Sequence, residues 1–77
     1  MTRVPILNAK TVQKVLVNLG FEAVRQKGSH VFYRHRDGRT TTVPFHAGRD
    51  IARPLLREIL KDIEISADDL IAELDKL

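Results

Sequence analysis

A chain of 77 residues with no cysteine excludes a disulfide framework, a thiolate metal site and more than one domain. Its formal charge of +3 is unevenly spread: +3 over residues 1–20, +5 over residues 21–57 and −5 over residues 58–77. A basic body with an acidic end suits a polyanionic partner, and an ordinary solvated surface is the alternative reading.

No apolar run approaches the ~20 residues of a membrane span. The first stretch, MTRVPILNAKTV, lacks the long apolar segment of a secretory signal. The expected protein is soluble and cytoplasmic, one domain over residues 1–77.

The first predicted element is a helix over residues 8–19. Val12, Val15, Leu16 and Leu19 form one apolar stripe. Asn8 is placed to cap it, Leu7 to pack on Val12, and Gly20 to end it in a left-handed conformation. A short strand is expected over residues 21–26. Residues 30–36 and 39–45 are rich in aromatic and β-branched types, and Asp37-Gly38 between them signals a hairpin. A two-residue loop pairs Arg36 with Arg39, Arg34 with Thr41, Phe32 with Val43 and His30 with Phe45. His30, Phe32, Val43 and Phe45 are then expected on the core face. Val31, Tyr33, His35, Thr40, Thr42 and His46 fall on the other, free face. Pro44 cannot donate to a ladder, which makes residues 39–45 an edge strand.

A helix is next expected from residue 51 or 54 to 62, with Leu55, Leu56, Ile59, Leu60 and Ile63 inward. Ser66-Ala67-Asp68-Asp69 resembles a capping box that opens a last helix over residues 67–75. Helices on one face of a small antiparallel sheet make a two-layer α+β domain, in the order helix, three strands, helix, short helix.

Of the three histidines, none shares a metal-site spacing with another, and no phosphate-loop or dinucleotide pattern occurs. No cofactor is expected. His30 differs by its place at the mouth of the second strand, at the rim of the expected core face beside Phe45. Neutral imidazole acts as a general base near pH 7. Gly28 lets the backbone turn and approach a ligand, Ser29 adds a hydroxyl, and Lys27 and Arg25 supply charge where a phosphate would lie. An ordinary strand-edge histidine explains the same features. On the free face, Tyr33 and His35 sit among Arg34, Arg36 and Arg39. An aromatic among cations suits single-stranded RNA, and a solvated face protected by its arginines is the bland alternative.

The stretch LGFEAVRQKGSHVFYRH, then DGR, TTVPFH and LLREILKDIEIS, resembles the HicA (YcfA-like) toxin family from about residue 8 to 74. The most specific parts are Gly20-Phe21, Gly28-Ser29-His30, the Val-Pro-x-His of residues 43–46 and the Ile-Leu-Lys of residues 59–61. The chain departs at AGRDIARP, where many relatives carry a Lys-Pro-Gly-like turn. The resemblance implies a fold like double-stranded-RNA-binding domains and a metal-free endoribonuclease that cuts mRNA. It also implies a HicB-like antitoxin as partner, and places the catalytic histidine at His30, supported by Gly28 and Ser29. In the expected mechanism His30 deprotonates a ribose 2′-hydroxyl. Arg25 and Lys27 offset phosphate charge, and His46 is the candidate for protonating the leaving oxygen, although the expected register puts it across the sheet from His30. Tyr33, Arg34, His35, Arg36 and Arg39 complete the expected RNA-binding set. A non-catalytic RNA-binding module of the same fold, or a protein-interaction domain, are the competing readings.

Overall fold

The computed structural model describes residues 3–77, so the first two residues of the amino-terminal stretch lie outside it. The elements run β1 (Leu7–Asn8), α1 (Ala9–Asn18), β2 (Phe21–Lys27), β3 (His30–His35), β4 (Thr40–Pro44), β5 (Asp50–Ile51), α2 (Arg53–Ile63) and α3 (Ala67–Leu74). The order α1-β2-β3-β4-α2 is the double-stranded-RNA-binding-domain-like layout expected from the sequence. None of the described helices is long and apolar enough to cross a membrane.

Local chemistry accounts for the helix ends. The Asn8 side chain accepts from the Thr11 N–H at 2.9 Å and caps α1. Gly20 follows with φ +94°, and a Cβ there would lie 3.0 Å from His35 Nε2, so both conformation and space demand glycine. Pro54 sits in the first turn of α2, which ends on Glu64 in the left-handed region. The capping box of α3 forms: Ser66 accepts from the Asp69 N–H, and Asp69 accepts from the Ser66 N–H.

Strands β2, β3 and β4 form an antiparallel sheet with β3 central and β4, as Pro44 required, at an edge. One face carries Val31, Tyr33, Thr41 and Val43. These pack with Val12, Val15 and Leu16 of α1, Leu56, Ile59, Leu60 and Ile63 of α2, and Leu70 of α3. Thr41, the buried polar member, donates to Asp62 Oδ2 of α2 at 3.0 Å.

The hairpin register differs from expectation by one residue. His30 faces Pro44, Val31 faces Val43, Phe32 faces Thr42, Tyr33 faces Thr41 and Arg34 faces Thr40. The loop has three residues, not two. His35 N–H donates to Arg39 O and Gly38 N–H to His35 O, both at 2.9 Å. Gly38 has φ +98° while Asp37 keeps a negative φ. A type I′ loop needs positive φ at both central residues, whereas a three-residue loop needs it only at the glycine. Strand β4 therefore keeps its expected inward face, and β3 turns over: Val31 and Tyr33 are core, while His30 and Phe32 face out. Burial explains the choice, because the expected register would have turned Arg34 and Arg36 towards the core with Phe32.

A second, two-residue ribbon pairs Leu7 with Ile51 and Asn8 with Asp50. The Arg53 guanidinium donates to Val4 O at 3.0 Å, which ties the buried Val4 segment to the start of α2. Strands this short leave no periodicity to read in a sequence.

Candidate nucleic-acid interface and catalytic histidine

The helices cover one face of the sheet, and the opposite face is organised by a bulge in β2. Ala23 pairs with Tyr33 and Arg25 with Phe32, so Val24 is the extra residue, 56 % exposed. Before the bulge, Phe21 points inward and Glu22 outward. An unbroken strand would then carry Arg25 and Lys27 inward. The extra residue resets the alternation and puts both cations on the open face.

That face reads as cross-strand rows. Glu22, Arg34 and Thr40 form one, Arg25, Phe32 and Thr42 the next, and Lys27, His30 and Pro44 the last. Neighbours within a row stand about 4.5–5.5 Å apart at Cβ. The Arg25 guanidinium lies over the Phe32 ring, 4.6 Å from its centroid. Glu22 is the one acid in these rows, against three guanidinium or ammonium groups.

His30 opens β3 directly after the two-residue loop Gly28-Ser29. Gly28 has φ +59° and Ser29 does not have positive φ, the pattern of a type II′ turn. The loop is fixed through its carbonyls: Phe45 N–H donates to Ser29 O at 2.6 Å, and Gln26 Nε2 donates to Gly28 O at 3.0 Å. His30 is exposed, not half-shielded at the core rim, and its row partner is Pro44 rather than Phe45. Its imidazole has no hydrogen-bond partner among the described residues. The turn thus holds a solvent-facing imidazole between Lys27 and Pro44, beside the exposed Arg25.

The remaining expected site residues divide. Arg34 and Arg36 are exposed, Arg34 on the open face and Arg36 in the hairpin loop. Tyr33 is a correction: it is 1 % exposed and packed in the core, because β3 turned over with the register. His35 is a second. It lies on the core side, its ring edge-on to Phe21 at 5.1 Å between centroids, and its Nδ1 accepts the Asp37 N–H at 3.1 Å. Arg39 is a third. It grips Asp37 through Nε at 2.8 Å, donates to Ile63 O at the end of α2 and lies over the Phe21 ring. Those contacts assign it to holding the hairpin against the helix. Hydrogen bonds from the Arg39 N–H and side chain, with the Arg39 charge, hold the Asp37 carboxyl below its ordinary value despite some desolvation.

His46 is exposed in the loop after β4. The register that separated it from His30 does not form. Pro44, directly opposite His30, lines one small depression together with His46 and Arg49. Phe32, like His30, stands on this face instead of the expected core face. The signal was present, since Phe32 shares its alternation with Arg34 and Arg36, which do not belong in a core. Among the described residues, no three His, Asp or Glu side chains converge as metal ligands would.

Comparison with known proteins is consistent with this architecture. No curated protein matches the chain. The family model for the HicA toxin of bacterial toxin–antitoxin systems matches residues 9–65, from the first residue of α1 to just past α2. With well over half of its length matched, the chain belongs to the HicA toxin family.

Proposed function

We propose that this chain is a cytoplasmic endoribonuclease toxin that cuts mRNA without a metal ion, uses His30 as its base, and is silenced by a HicB-like antitoxin. The observation that carries the reading is the place of His30: exposed, on a fixed turn, in a row with Lys27 and next to the row of Arg25. RNA lies on the open face with a phosphate near Lys27. His30 takes the proton of the adjoining ribose 2′-hydroxyl, and the 2′-oxygen attacks phosphorus. The bond to the 5′-oxygen breaks, and that oxygen leaves with a proton from His46 or water. The products are a 2′,3′-cyclic phosphate and a 5′-hydroxyl, so DNA is no substrate. Arg25 and Lys27 offset the charge that builds on the phosphoryl oxygens. Gly28 provides the positive φ of the turn, and Ser29 is the residue next to the base in the chain.

One observation favours a binding-only reading: among the described residues no carboxylate orients the His30 ring, as acid–base histidines commonly require. The two readings part on one assay. Purified protein and a His30→Ala variant are incubated with a defined RNA in excess EDTA, and the fragment ends are identified. Cleavage to cyclic phosphate ends, reduced about 10²–10⁴-fold by the substitution with RNA affinity kept, is expected. Intact RNA with both proteins, despite tight binding, leaves a binding module. His46→Ala is read from the pH–rate profile, whose alkaline limb should be lost if His46 is the acid.

A further inference from the structure

The open face holds an aromatic ring that the proposed chemistry does not use. Phe32 stands in the row next to His30, two residues along the same strand, or about 6.6 Å at the usual strand rise. It is only partly covered, and the Arg25 guanidinium lies 4.6 Å from its ring centroid. Val24 of the bulge, Arg34 and Thr40 join them around a shallow depression of about 370 Å³. A ring capped by a planar cation, with further cations in the rows on either side, matches one ligand chemistry: a flat base attached to phosphates. Phe32 and Arg25 together offer a base an aromatic ring and a guanidinium to stack on, while Lys27 and Arg34 lie in the rows on either side for the flanking phosphates.

We propose that Phe32 and Arg25 form a base-stacking subsite that selects unpaired RNA and seats the base next to the bond facing His30. The choice of RNA rests on the ribonuclease reading above. A duplex does not offer this contact. Its bases are stacked on one another, and a broad sheet face does not enter the grooves of an A-form helix. The layout shared with duplex-binding domains therefore carries a different mode of recognition here. Stacking accepts every base, so the subsite distinguishes paired from unpaired RNA and tolerates sequence.

The test uses a short unstructured RNA carrying one 2-aminopurine, alone and annealed to its complement, titrated with the full chain in EDTA. The unpaired RNA should bind more tightly than the duplex, with quenching of the 2-aminopurine when it occupies the subsite. Phe32→Leu keeps apolar volume and removes the ring. It should raise the Kd for unpaired RNA roughly 5- to 150-fold, equivalent to the ~1–3 kcal/mol of one base–aromatic stack, and leave the duplex Kd unchanged. Arg25→Lys keeps the charge and removes the plane, so it should act in the same direction with an unaltered salt slope, whatever Phe32→Leu does to folding. Equal affinity for duplex and unpaired RNA, or no effect of either substitution, overturns the subsite. So does a wild-type chain that binds no RNA, whose open face then docks a protein. Wild-type binding and quenching without cleavage ends the ribonuclease reading and leaves the subsite standing.

Discussion

Tyr33 shows how much one turned strand changes at a single residue. Facing out, it would have been a stacking platform; facing in, it is a core residue whose hydroxyl finds no hydrogen-bond partner among the described residues. An unsatisfied buried hydroxyl is a cost to the fold, and the ring is not. Tyr33→Phe should therefore stabilise the protein by about 1 kcal/mol, a rise of roughly 4–8 °C in Tm for a domain of this size. A fall in Tm on thermal unfolding would show that the hydroxyl is satisfied. The pH dependence has a definite sign. Burial raises the Tyr33 pKa above its ordinary 10.0, so the fold favours the neutral phenol. Its contribution is complete below pH 10 and is lost as pH climbs through the raised folded value. Urea midpoints measured up the alkaline range should fall more steeply for the wild type than for Tyr33→Phe. RNA binding supplies a control, because a core residue should leave the affinity unmoved and a stacking residue should not.

At the scale of elements, the bulge at Val24 decides which side chains of β2 stand on the open face. The buried Phe21 fixes the first half of β2, and the Gly28-Ser29 turn fixes the other end. Deleting Val24 removes the extra residue and puts Arg25 directly after Ala23, so that both cations stay on the open face of a regular ladder. The variant should keep two phosphate contacts and with them the salt slope of single-strand binding, to which they contribute about 1.4. Val24→Thr keeps a β-branched residue at the bulge and should keep the slope as well. A slope lowered by about 1.4 in the deletion variant would mean that the cations had turned towards the helices. Elements like this bulge mark where the sequence stops being readable. The stripe of α1 with its Asn8 cap, the capping box at Ser66 and the edge position forced by Pro44 are each local, and each forms as its chemistry demands. Asp37-Gly38 is local too, but it suits both a two-residue and a three-residue loop, and only burial of the whole sheet chooses between them. That single residue of ambiguity turned Tyr33, Phe32 and His30 over together. The His30 candidacy rested in part on an expected place at the core rim beside Phe45, which the observed register removes; its turn and the Gly28-Ser29-His30 resemblance need no register. Nothing along β2 announces the bulge, since Val24 is as good a strand residue as its neighbours.

Across the whole molecule, charge and layer coincide. Arg25, Lys27 and Arg34 stand on the open sheet face, while the acidic end of the chain is folded into the helical layer, where Asp62 meets Thr41, Asp69 closes a cap and Glu73 pairs with Lys76 at 2.8 Å. The proposed function therefore has a polyanion approach one side, and an acidic partner surface compete for that same side. Three phosphate contacts on a single strand should give a plot of log K against log salt with a slope near −2, about −0.7 for each. If the proposed RNA and antitoxin use the same cations, Arg25→Glu and Arg34→Glu should each weaken both together. Glu73→Lys, on the far layer, should weaken neither. The measurement is a competition: labelled RNA bound to the chain is displaced by the purified antitoxin, and the Kd of each partner is taken for each variant. Displacement with parallel losses places antitoxin and RNA on one face, so that neutralisation is occlusion of His30. Simultaneous binding, with the antitoxin sensitive to Glu73→Lys, would place it on the helical layer, and inhibition would then have to act through the fold rather than by covering the site.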